Sequence, residues 1–89
     1  MRAIVTVIGR DQVGIIAAVC TLLAEHNVNV LDISQTILRE FFTMTMLVDV
    51  SACKLPFTVL STLLENEGSK RGLAIKVQRE DIFDAMHKI

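Results

Sequence analysis

The pattern of the chain predicts an α+β fold, a ferredoxin-like βαββαβ sandwich. It should hold a four-stranded antiparallel sheet, two helices on one face of it, and a short C-terminal helix. Three observations carry this. Apolar residues alternate at period two in four separate stretches. Two stretches with apolar residues at helical spacing lie between the first and second strands and between the third and fourth. A polar pair, Arg39-Glu40, joins the middle two strands as a hairpin. Two crossovers of about a dozen helical residues imply parallel neighbours with right-handed connections.

The first strand is expected over residues 2–8, with Ala3, Val5 and Val7 on one face and Ile4, Thr6 and Ile8 on the other. The first helix runs from Val13 or Gly14 to His26, buries Ile15, Val19, Leu22 and Leu23, and stops at Asn27. The second strand covers 28–39. The third, 42–50, has the clearest alternation: Phe42, Met44, Met46, Val48 and Val50 against Thr43, Thr45, Leu47 and Asp49. The methionines read as core filler. Pro56 is expected as the first residue of the second helix, where its missing N–H costs nothing. That helix carries Phe57, Leu60, Leu63 and Leu64 and ends at Asn66 or Glu67, with Gly68 as a left-handed stop. The fourth strand is 73–80. A last helix, about 81–88, has Asp81 as its cap and Ile82, Phe83, Met86 and Ile89 as packing residues. The chain reads as one domain, 1–89, with its core in about 2–80 and no linker or repeat.

Composition limits the function classes. Nine basic and ten acidic residues give a net charge of −1, and the only aromatic residues are four phenylalanines. A basic face interleaved with stacking rings is missing, which argues against direct nucleic-acid binding. No apolar run approaches the roughly 20 residues needed to cross a bilayer, so no membrane partner is expected. Strand residues begin at once, with no leader pattern, and the protein is expected to be cytoplasmic. Cys20 and Cys53 show no metal or CxxC spacing and read as reduced thiols. His26 and His87 lie near helix ends, where the dipole favours a charged imidazole. Asp32 and Asp49 have no histidine placed beside them by pattern, so neither an enzyme nor a cofactor is expected. Yet 52% of the residues are hydrophobic, more than one small core needs, and the surplus suggests a homodimer interface.

The candidate site lies in the junction of the first strand and first helix, Gly9-Arg10-Asp11-Gln12-Val13-Gly14. Amides of a helix N-terminus lack intrahelical partners and sit at the positive end of the dipole, a seat for a carboxylate. Asp11 would hold an ammonium beside it, so the expected ligand is a small zwitterion such as an amino acid. The alternative is that Asp11 only caps the helix and that Gly9 and Gly14 only permit a tight turn.

These residues, Gly9-x-Asp11-x-x-Gly14-Ile15 after a hydrophobic strand, followed by Asn29-Val30, resemble the ACT domain, a regulatory module that binds amino acids in metabolic enzymes. The resemblance covers about residues 2–80. It is closest to small stand-alone bacterial ACT proteins and to half of the two-ACT regulator of the glycine cleavage system. It implies a homodimer joined at sheet edges, with ligands where the first loop of one copy meets the second strand of the other. Asp11, Gly14 and Asn29 match ligand-contacting positions, and Arg10, Gln12 and Val13 complete the loop. Gly9 stands where some members have a side chain, and Val13 where proline is common. The implied role is a small regulatory protein that binds an amino acid and signals to a partner protein. A ligand-free dimerisation or interaction module is the alternative.

Overall fold

In a computed structural model, which describes residues 1–10 and 12–81, the chain forms β1 (Arg2–Arg10), α1 (Ile15–Glu25), β2 (Asn29–Leu38), β3 (Phe41–Asp49), α2 (Phe57–Lys70) and β4 (Leu73–Arg79). This is the expected βαββαβ order. The expected last helix and Asp11 lie outside the described residues.

The strands form one sheet in the order β2-β3-β1-β4, and every neighbouring pair is antiparallel. The expectation of parallel neighbours is therefore wrong in one respect. β1 and β2 do run the same way, as do β3 and β4, but each crossover skips a strand, and β3 or β1 occupies the gap. The β2–β3 hairpin fills one gap and so converts parallel crossovers into an antiparallel sheet.

One sheet face carries the core. Ala3, Val5 and Val7 of β1, Met44, Met46 and Val48 of β3, and Leu73, Ile75 and Val77 of β4 pack with Ile15, Val19 and Leu23 of α1 and Leu60 and Leu64 of α2. Leu22, Phe57 and Leu63 are half-buried at its margin. Both helices thus lie on the same side, as period-two and period-3.6 patterns together require. Asn27 and Arg39 take left-handed conformations, φ 58° and 56°, at the end of α1 and in the hairpin turn.

α2 departs from expectation at both ends. Pro56 caps the helix from outside rather than opening it, and its carbonyl accepts the Leu60 N–H at 3.0 Å. Gly68 does not stop the helix, which runs on to Lys70. Gly68 is buried against β4, where a Cβ would come within 2.7 Å of Ile75 Cγ1 and 3.0 Å of the Leu73 carbonyl oxygen. The glycine lets the helix backbone approach the strand, continuing the Leu60–Leu64 stripe by one more turn. The left-handed residue that releases the chain into β4 is Gly72, φ 73°.

Candidate functional site: the β1–α1 junction and the open β2 edge

α1 begins without a side-chain cap. Gly14 sits before it at φ 87°, a conformation that favours glycine, and a Cβ there would meet open space. The first helical N–H to find a carbonyl is that of Ala18, which donates to the Gly14 oxygen at 2.9 Å. The amides of Ile15, Ile16 and Ala17 come before that bond and have no partner within the helix. No acidic residue stands in the first turn to neutralise the dipole. Val13 is fully exposed. Gln12 is exposed too, but its Nε2 donates to the Arg71 carbonyl at 3.3 Å, which ties the loop to the α2–β4 turn. Arg71 in turn donates to the Glu67 carbonyl at 3.0 Å and to Glu67 Oε2 at 2.9 Å. The Arg71 hydrogen bond, then that of Lys70, holds the Glu67 carboxyl below its usual range.

The candidate residues separate into three places. Gln12, Val13 and Gly14 form the loop. Gly9 lies within β1 between Phe42 and Leu73, where a Cβ would come within 2.6 Å of Leu73 Cδ2, so close strand packing accounts for the glycine. Arg10 pairs with Phe41 at the end of β1, on the sheet face away from the helices. Asn29 is the first residue of β2, and its register runs through Asp49 to Arg2, the far end of the sheet. Arg2 to Arg10 spans nine residues, about 26 Å at ~3.3 Å per step. One chain does not bring Asn29 and the loop together.

A cavity of about 210 Å³ opens beside the loop, between the start of α1 and the C-terminal half of β2. Ile16, Ile37 and Phe42 wall it, and Gln12 and Gln35 supply amide groups. Of these, only Gln12 belongs to the loop predicted from sequence. Gln35 carried a signal: it is the one polar residue on the side of β2 that otherwise shows Ile33 and Ile37. A wider groove of about 420 Å³ between α1 and α2 includes Arg71 and Glu67, but those charges already satisfy each other.

β2 is the sheet's edge strand, and residues 31–38 are exposed on both faces. Ile33 keeps 40% of its surface in water, Ile37 55% and Leu38 69%. An edge strand with a free row of backbone groups and large exposed apolar side chains is a template for pairing.

The family model for the ACT domain matches residues 2–78. The chain belongs to the ACT-domain family. It is 52% identical over its whole length to a UPF0237 protein of Clostridium acetobutylicum, itself covered completely. It is 50% identical to a UPF0237 protein of Methanocaldococcus jannaschii, with 99% of this chain and 98% of that one covered. An ACT domain protein from Streptococcus pneumoniae superposes with a TM-score of 0.83 at 43% identity, covering 93% of each chain. A candidate glycine cleavage system transcriptional repressor shares the fold, with a TM-score of 0.73 at 24% identity. That match covers 86% of this chain and 44% of the other. As an ACT domain of regulatory type, the protein has the ferredoxin-like fold that its sequence pattern implied. Among the described residues no group of three or more metal-ligating side chains occurs, and no helix is long and apolar enough to cross a membrane.

Proposed function

We propose that this ACT domain works in the cytosol as a homodimer, that it binds a small amino acid at each end of its interface, and that binding alters its association with a partner protein. The observation that carries this reading is the placement of the two halves of the site. The uncapped α1 amides lie at one end of the sheet and Asn29 at the other, joined by a bare β2 edge. Two copies of β2 paired antiparallel over their full length set Asn29 of one copy opposite Leu38 of the other. The Asn29 amide then stands at the loop end of its neighbour, where it can accept from an ammonium or donate to a carboxylate. The ligand carboxylate takes the free amides of Ile15 to Ala17, and Asp11 supplies a negative charge for the ammonium. Edge pairing also covers Leu31, Ile33 and Ile37.

The second reading is a ligand-free interaction module. It draws on the sheet face away from the helices, where Ile8, Leu38 and Phe41 are exposed.

Sedimentation velocity at micromolar concentration, with and without each of the twenty amino acids, separates the two. The first reading requires a dimer and a ligand-dependent rise in melting temperature. At 100 times its dissociation constant, a ligand adds about 2.7 kcal/mol. Ile33 lies near the centre of the proposed pairing, so Ile33→Lys sets like charges across the two-fold axis. That variant should weaken the dimer by at least about tenfold and leave the circular dichroism of the monomer intact. A wild-type monomer, or a thermal shift unchanged in Asp11→Ala and Asn29→Ala, refutes the first reading.

A further inference from the structure

We infer that the ligand of this domain is an amino acid with an uncharged, branched aliphatic side chain. The inference rests on the ligand-binding reading above and adds a selectivity to it. Its basis is the cavity beside the loop rather than the helix terminus. A carboxylate on the α1 amides leaves the ligand side chain facing the space between α1 and β2. That space, about 210 Å³, is smaller than the ~300 Å³ at which pockets for drug-sized molecules begin. Nucleotides and bulky cofactors are therefore poor occupants.

The walls then decide between amino acids. Ile16 closes one side from α1, Ile37 closes the other from β2, and Phe42 forms the floor. Phe42 is buried and fixed in the core, whereas Ile16 and Ile37 are exposed and gain burial when a ligand packs on them. No charged side chain among the described residues lines this cavity. Arg10 is on the other sheet face and Arg71 is held by Glu67. An acidic or basic side chain entering here loses water without gaining a counter-charge. Glycine or serine leaves Ile37 and Ile16 in contact with solvent. Valine, leucine and isoleucine fill the space and bury both walls. Gln35 and Gln12 stand where they can meet the ligand's backbone polar groups.

The test is isothermal titration of the full chain with glycine, serine, valine, leucine, isoleucine, aspartate and lysine, since the absence of Trp and Tyr leaves little intrinsic fluorescence to follow. The expected result is tightest binding of a branched aliphatic amino acid. A single methylene in an apolar pocket is worth ~10-fold or more, so glycine and serine should bind at least about tenfold more weakly. Aspartate and lysine should be weaker still. Ile37→Ser, at an exposed position, should cost the aliphatic ligand about tenfold and close the gap to serine. If aspartate, lysine or serine binds tightest, or Ile37→Ser leaves the ranking unchanged, this selectivity is wrong and amino-acid binding stands. If none of the seven binds, both fall.

Discussion

β2 and β3 are adjacent strands of one hairpin, with the same alternation and nearly the same length, yet they live in different environments. Met44 and Met46 of β3 have no exposed surface, whereas Ile33 and Ile37 of β2, which pair with Met46 and Phe42 across the ladder, remain about half in water. The side chains point to the same face of the sheet. What differs is the cover: α1 and α2 lie over β3, β1 and β4, and reach only the margin of β2. Alternation therefore reports which face a residue takes. Whether that face is covered depends on helix placement, a property of the whole fold.

The sharpest way to test that contrast is to cut the same amount of apolar material on either side of it. Met46→Ala removes a side chain with no exposed surface and leaves a cavity in the core, at a cost of about 2–5 kcal/mol. For a domain of this size each kcal/mol lowers the melting temperature by roughly 4–8 °C. Ile33→Ala, its ladder neighbour, should cost much less in dilute solution, where dimer is scarce. Its penalty should grow with protein concentration, because the interface is where Ile33 is proposed to be buried. Urea denaturation at two protein concentrations reads both effects. Equal costs for the two variants in dilute solution would mean that β2 is as well covered as β3.

A smaller effect is expected at the opposite edge, where cover is tightest. Gly68→Ala puts a methyl group 2.7 Å from Ile75 Cγ1 and 3.0 Å from the Leu73 carbonyl oxygen. Overpacking of this kind costs about 1–3 kcal/mol, and the better helix propensity of alanine returns about 1 kcal/mol. A net loss of roughly 1 kcal/mol in thermal unfolding is expected, with α2 displaced from β4. A stabilised Gly68→Ala would show that α2 has room to shift and that β4 is not closely covered.

The same contrast explains what was legible in the sequence. Strand and helix positions came through because apolar periodicity is a local signal, and it placed Val5, Met44, Leu23 and Leu64 in the core correctly. Gly68 was misread because a helix-stopping glycine and a close-packing glycine look identical in sequence. The difference is the Ile75 side chain lying above it, from a strand that follows. The parallel-neighbour expectation failed because the crossover lengths do not reveal that a hairpin strand will intercalate. At the candidate site, Gln12, Val13 and Gly14 were readable from the strand–glycine–helix punctuation. Ile16, Ile37 and Phe42 were not, because each also fits an ordinary amphipathic pattern. Asn29 was readable only through family resemblance, since its place at the far end of the sheet from the loop gains meaning only when two chains are paired.

The smallest expected effect concerns the polar lashing of the loop end, which has hydrogen bonds where the β3 side has apolar packing. Glu67 accepts from Arg71 and Lys70, and Arg71 presents its carbonyl to Gln12. The folded-state carboxyl of Glu67 is depressed by these donors, so the folded protein binds its proton less readily than the unfolded chain does. Its contribution is therefore present above the unfolded carboxyl pKa and is lost as pH falls through the lower folded value. Both partners are largely solvated, which keeps the effect small and salt-sensitive. Glu67→Gln should lower the urea midpoint slightly at pH 7 and hardly at all at pH 3, so the acid-induced loss of stability is smaller in the variant than in the wild type. In 1 M salt the difference at pH 7 should shrink. A Glu67→Gln midpoint equal to wild type at both pH values would mean that the Arg71 turn is held by the backbone of α2 and β4 alone. Gln12 would then keep its acceptor whatever the state of the carboxylate.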